Sequence, residues 1–299
     1  MAATKALLLV SAALLAGSAL APTLVGVAPE KRFLRLFTFA LVVAVIGLSA
    51  FEIATNLRRL LGFLDWDNFY YYLRNTRHGN AALLRAGSAL LLGASLQWRP
   101  AEGLALPKAA LALALLLSFS YSSHAAAMGG FGPMIVDWLH FVAVAAWLGA
   151  LLFVATSNIW SPWTHATRAE AVARLSAIGL AAVAAMAVTG VVSTLVHLAN
   201  PATFMASPYA ESWLRKVIVV ATVVACAIWN RVRLVPLTRQ DDRSTALRAG
   251  ILVELALLGG VFVATGWLTT SALPHSADAG VNAFENLQGF IEYLKERSP

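Results

Sequence analysis

Between Phe119 and Ala155 the chain sets His124, Met128, Asp137, His140 and Trp147 into an otherwise apolar stretch. Placing an imidazole in hydrocarbon is costly, so a histidine inside an apolar helix faces protein and marks a functional site. His140 lies about ten residues into its apolar run, roughly 15 Å along a helix. Asp137 stands one turn before it and Trp147 two turns after, so the three share a helical face. His124 closes the preceding helix. Met128 follows it in a corner where Gly129, Gly130 and Gly132 permit a tight reversal. Two imidazoles and a thioether at one end of a helical hairpin make a soft-metal site. In that site Asp137 is expected to orient the His140 ring as a hydrogen-bond acceptor, with Trp147 further along the same face.

The other histidines extend this pattern. His78, His124, His197 and His275 fall at outer helix ends or outer loops, and His140 in the outer half of its helix; only His165 falls inside. Met128 and Met205 are outer as well. Any one of these taken alone reads as a loop-end histidine bonded to water or backbone. Their gathering on one side favours a metal or cofactor site. A second reading is haem, held axially by His140 with His124 or His197 on facing helices.

The elements that must position these residues are read from composition. Hydrophobic residues make up 59% and charged residues 12%, with a mean hydropathy of +0.72. A soluble domain carries about a quarter charged residues. Apolar runs occur at 6–28, 33–55, 81–98, 106–124, 134–156, 171–197, 213–234 and 251–273. This is an all-α, polytopic transmembrane helical bundle of about eight helices, one domain over 1–274. The first run also fits a secretory signal, with Lys5 before an apolar core and Ala19-Leu20-Ala21 after it. Topology argues for keeping it: Arg231, Arg233, Arg239, Arg243 and Arg248 in one short loop belong in the cytoplasm, and an eight-helix count then puts both termini outside. The net charge of +7 suits anionic lipid headgroups and gives no nucleic-acid surface. Residues 275–299, with Phe284, Leu287, Phe290, Ile291 and Leu294 on one face, read as a short interfacial helix. Cys226 has no partner for an intramolecular disulfide. No Walker A loop or activated nucleophile is present, so the chain reads as a handling protein and not an enzyme.

An internal repeat is visible. Asn75–Arg85 and Ala206–Lys216 each open a helix with a small hydroxyl residue, a ring two residues on, a small residue, and a cation six further. Four helices separate them, which makes the halves (about 1–128 and 129–274) a parallel repeat. His124 then parallels His275, while the first helix has no counterpart of His140. Among the buried charges, Glu254 and Arg231 near the inner ends of the last two helices are expected to form a structural ion pair. Glu52 is expected to balance Arg85, Arg58 or Arg59. On the sixth helix Met186, Gly190, Ser193 and His197 form one stripe, read as close helix packing at Gly190.

SHAAA (Ser123–Ala127), DWLHFVAVAAWLGALL (Asp137–Leu152), SPYAESWLRK (Ser207–Lys216) and NRVRLVPL (Asn230–Leu237) together resemble the copper resistance D (CopD) family. Arg248 and Glu254 near the start of the last helix fit it, as does NTRHGNAALLR (Asn75–Arg85). The resemblance reaches nearly the whole chain to about Pro274. It implies an eight-helix bacterial inner-membrane protein of copper homeostasis, taking copper as Cu(I) or Cu(II) toward the cytoplasm with a periplasmic partner of the CopC type. His124 and His140 carry over as its functional residues. His78 stands where an aromatic is usual, which makes it an extra ligand, and Ala210 stands where glycine is usual.

Overall fold

The computed structural model describes residues 1–26, 31–61, 65–97, 104–123, 131–157, 160, 165–197, 207–236 and 244–271. Its elements are α1 (Ala2–Val25), α2 (Lys31–Leu61), α3 (Trp66–Asn75), α4 (Arg77–Gln97) and α5 (Ala105–Tyr121). They continue with α6 (Phe131–Thr156), α7 (His165–His197), α8 (Pro208–Trp229) and α9 (Ser244–Leu268). A π-helical turn, Asn230–Leu234, prolongs α8. Eight of these helices match the eight apolar runs. The addition is α3, in a segment expected to be loop. Its start is set by Asp65, whose side chain accepts from the Asn68 backbone N–H at 2.7 Å. Several helices outrun the apolar pattern, because a first turn of polar residues extends a helix without extending its hydropathy. Six helices are long and apolar enough to cross a membrane, with Ala105–Tyr121 a shorter apolar one.

Contacts between helix ends define two ends of the bundle. At one, Lys5 meets Glu52, Arg77 donates to the Tyr121 carbonyl, and Trp213 donates to Thr194. Ser212 bonds Ser271 there as well. This end therefore holds the starts of α1, α4 and α8 and the ends of α2, α5, α7 and α9. At the other, Gln97 donates to the Arg35 carbonyl and Arg248 to the Ala155 carbonyl. The eight helices other than α3 run alternately up and down between these two ends.

α1 is the central element: it packs against α2, α4, α5, α6, α7 and α9. Leu8, Ala12, Ala13, Leu15, Ala16 and Ala21 on it are fully buried. Small residues let neighbouring backbones approach closely, the dominant device where lipid removes the hydrophobic drive between helices. It is carried furthest where α1 crosses α6. A Cβ on Gly17 would fall 2.7 Å from the Gly149 Cα and against the Ala145 carbonyl, and one on Gly149 would strike the Gly17 backbone in return. The apolar side chains left outside, such as Leu36, Phe39, Leu180, Val188 and Ile218, are those a bundle presents to hydrocarbon.

Gly149→Val is expected to lower the melting temperature of the purified protein strongly, since a β-branched side chain has no room to relax against backbone; overpacking of this kind costs about 1–3 kcal/mol or more. Gly47→Ala, where an added Cβ meets nothing within 4 Å, is the control and should leave the melt unchanged.

Candidate functional site

His140 projects from α6 onto α7. Its Nδ1 lies 2.9 Å from the Thr189 hydroxyl, which itself donates to the Ala185 carbonyl at 2.7 Å. A hydroxyl that spends its hydrogen on the carbonyl four residues back offers a lone pair to the ring. With Nδ1 protonated, the ring donates to this lone pair, the Met186 carbonyl is a further acceptor within its reach, and Nε2 is left as an acceptor or ligand. Gly190 lies beside the ring: a Cβ there would stand 3.9 Å from the His140 Cε1, an ordinary contact distance, so the close helix packing expected at Gly190 is not enforced by its lack of a side chain.

The partner expected to orient the ring is corrected by this geometry. Thr189, and not Asp137, holds His140. Asp137 lies within electrostatic reach of Lys216 and Tyr209 on α8, and Lys216 also acts on His140. A carboxylate three residues before a histidine shares its face, but here the ring bonds α7 while the carboxylate acts on α8 through electrostatics alone. Trp147 is buried at 3% exposure, two turns deeper, with its indole nitrogen 3.2 Å from where a Cβ of Gly179 would lie. It belongs to the middle of the bundle, away from the His140 ring.

The remaining expected ligands divide into three groups. His124, Met128, Met205 and His275 lie outside the described residues. His197 closes α7 at the same end of the bundle as His140, with its side chain outside the described residues. His78 belongs to another cluster. It lines a small cavity with Lys5, Ser49, Glu52, Tyr72 and Arg85, formed by α1 to α4, with Ser122 beyond the end of α5. There the buried Arg85 stacks 3.8 Å over the Phe119 ring, reaches Ser118 and Ser49 at 3.3 Å each, and stands 3.9 Å from Glu52. Glu52 in turn holds Lys5 at 2.8 Å. The expectation that Glu52 balances Arg85 holds, with Lys5 as a second partner that the sequence reading did not name. Two cations in this cavity oppose a third, so His78 is badly placed as a copper ligand. Among the described residues no group of three or more His, Cys, Asp or Glu comes together to hold a metal.

The ion pair expected between Glu254 and Arg231 does not form. The Glu254 carboxylate accepts from Asn230 at 2.8 Å, and Arg231 donates to the Ser176 carbonyl at 2.8 Å. Asn230 and Arg231 are neighbours on α8, about 100° apart around the axis, so only one of them can face α9. The shorter, neutral side chain does. Gly250 lets it in, since a Cβ there would strike the Asn230 side-chain oxygen and stand 2.9 Å from the Leu234 Cδ1. Thr189, Lys216 and Asn230 are the site residues that sequence reasoning missed. Lys216 was noticed only as the cation of the repeat, and a threonine in an apolar run gives no signal beyond its hydroxyl.

The two repeat segments are capped alike. Thr76 Oγ1 accepts from the Gly79 N–H at 3.0 Å, and Ser207 Oγ from the Ala210 N–H at 3.2 Å. Each cap sets a cation two turns into the bundle, Arg85 beside Glu52 and Lys216 within electrostatic reach of Asp137.

Residues 169–268 match the family model described as Copper resistance protein D. The chain is 29% identical over 239 residues to the Inner membrane protein YebZ of Escherichia coli (strain K12), covering 77% of this chain and 81% of that protein. No solved structure matches.

Replacing Glu52 with Gln is expected to cost about 3–5 kcal/mol of stability, because it strands the buried Arg85 guanidinium. The double change with Arg85→Met should cost less than the sum of the singles. Equilibrium unfolding of the four proteins in one detergent checks the coupling.

Proposed function

We propose that this CopD-family chain moves copper across the bacterial inner membrane, taking the ion at the His140 end of the bundle. The family match and the likeness to an inner-membrane protein support a copper-related membrane role. The observation that carries the site is the His140 ring, half-buried in a membrane helix, with Thr189 2.9 Å from Nδ1, which leaves Nε2 for a ligand in the Nδ1-protonated form. A neutral imidazole so oriented is a good ligand for copper in either oxidation state. The described starts of α1, α4 and α8 and ends of α2, α5, α7 and α9 share that end. His197 closes one of these helices, His124 and His275 follow two others in sequence, and Met205 precedes a fourth. They are the residues we propose to complete the ligand set.

Lys216 gives the site its release step. A cation within reach of His140 opposes a second cation, and Asp137 offsets it only in part. Binding is thereby kept weak enough for the ion to leave, as conduction requires. In this reading the His140 end faces outward, where a periplasmic copper-binding protein of the CopC type delivers the ion, and the arginine-rich end of Arg231, Arg233 and Arg248 faces the cytoplasm. Both termini then lie outside. The ion is cargo, and the chain supplies ligands and charge without bond-making chemistry. Haem, the alternative cargo of such a histidine, needs a second axial ligand; the candidates His124 and His197 have side chains outside the described residues, and no observation favours it.

Metal analysis of purified protein loaded with Cu(I) tests the site. His140→Ala should lose the bound ion, and Thr189→Val should weaken binding by about 10–100-fold, as the loss of a ring-orienting partner does. Lys216→Gln should tighten it. Copper retained in full by His140→Ala would refute the assignment. Separately, reporter fusions at Thr238 and within Asn56–Asn80 should report opposite sides, with Thr238 cytoplasmic.

A further inference from the structure

We propose that Glu254 is a proton-carrying carboxyl in the inner half of the bundle, which releases its proton when a monovalent metal ion is held at His140. The inference rests on the copper reading above and supplies its energy coupling. Glu254 is 4% exposed, about twelve residues and roughly 18 Å along α9 from Gly266, whose neighbours are Ala2 and Ala6 at the start of α1. That depth is close to the crossing of Gly17 and Gly149. The carboxyl accepts from Asn230 at 2.8 Å, and the indole of Trp147 lies close to it. Both neighbours are neutral.

On α8, Tyr209, Glu211, Arg215 and Lys216 lie at least fourteen residues before Asn230, toward the His140 end. Further along it, Arg231 is committed to the Ser176 carbonyl and Arg233 stacks on Trp229, while Cys226 lies one turn before Asn230. On α9 itself, Arg248 donates to the Ala155 carbonyl. On α1 the one charged side chain is Lys5, bound to Glu52 at the far end. α6 has no titratable group between His140 and Thr156 and brings only the Trp147 indole. A carboxylate set among neutral groups in a membrane interior is unstable as an anion, whereas the acid form is tolerated. Asn230, with an amide that can donate or turn its oxygen to accept, serves both forms.

Coupling follows from position. Trp147 stands two turns from His140 on the same helix, about 10 Å along it, and its indole lies close to Glu254. Charge at one site is felt at the other across so short a path of low dielectric. When the ion arrives, the O–H bond of the Glu254 carboxyl breaks, its electron pair stays on the oxygen, and the proton passes to water at the Arg248 end. No electron is transferred, and the charge inside the bundle is unchanged: one cation has replaced another. The ion pair once expected here would have excluded this role, because a carboxylate tied to arginine does not give and take protons near neutral pH.

Infrared difference spectroscopy on the full-length chain in lipid nanodiscs tests the proposal, with Ag(I) as a redox-inert stand-in for Cu(I) and bound silver measured in parallel. The metal-free wild type should show a carboxylic-acid C=O band at neutral pH that disappears in Glu254→Gln and shifts in Asn230→Ala. The band should fade as silver binds, with about one proton released per ion. Glu254→Gln should bind silver and release none. A metal-free wild type without the band overturns the proposal, and so does a band indifferent to bound silver; neither depends on a variant folding. A wild type that binds no silver overturns the coupling together with the copper reading, and the metal analysis alone identifies that outcome.

Discussion

The contact between Gly17 on α1 and Gly149 on α6 is the constraint on which the rest of the bundle depends. Two backbones touch with no side chain between them, so the depth and angle of the central helices are set there. Most of the other helices pack on that pair, with α8 reached through α9 and α3 through α4 and α2. α2, α4, α5 and α9 lie against α1, while α7 lies mainly against α6. The polar groups that matter are then placed by simple offsets along two helices. Lys5 stands on α1 above Gly17, Asp137 and His140 on α6 above Gly149, and Trp147 one turn's fraction from the crossing itself.

Charge is handled differently at three levels of this frame. Near the His140 end, Arg85 is enclosed by hydroxyls, an aromatic face and Glu52, a set that makes a permanent cation tolerable inside the bundle. Beside it in the second half, Lys216 is offset by Asp137 while a neutral imidazole stands within reach. At the crossing, Glu254 meets only neutral groups. Under the copper reading proposed above, the loosely balanced charge and the uncompensated acid are the two groups that would respond when another charge arrives.

Much of this was legible in the sequence. Apolar runs gave the eight long helices, and the parallel between Asn75–Arg85 and Ala206–Lys216 reappears as two identical caps. His140 was found because an imidazole in an apolar run is expensive. Partner choice was not legible. Whether His140 turns to Asp137 or Thr189, and whether Glu254 takes Arg231 or Asn230, depends on rotation about a helix axis, where one residue shifts a side chain by about 100°. Hydropathy averages over that rotation, so it registers the burden of a buried charge and not the group that relieves it. The helix α3 was missed for a related reason: its start is specified by the cap at Asp65 and not by apolar spacing.

The central claim is that His140 binds the cargo directly. X-ray absorption at the copper edge, on full-length protein loaded with Cu(I), examines the ligands themselves. The account predicts imidazole scattering with a copper–nitrogen distance of about 2 Å, similar to that of other histidine-bound metals, and a loss of that scattering in His140→Ala. An unchanged imidazole signal in the variant would place the ion on other histidines and contradict the claim.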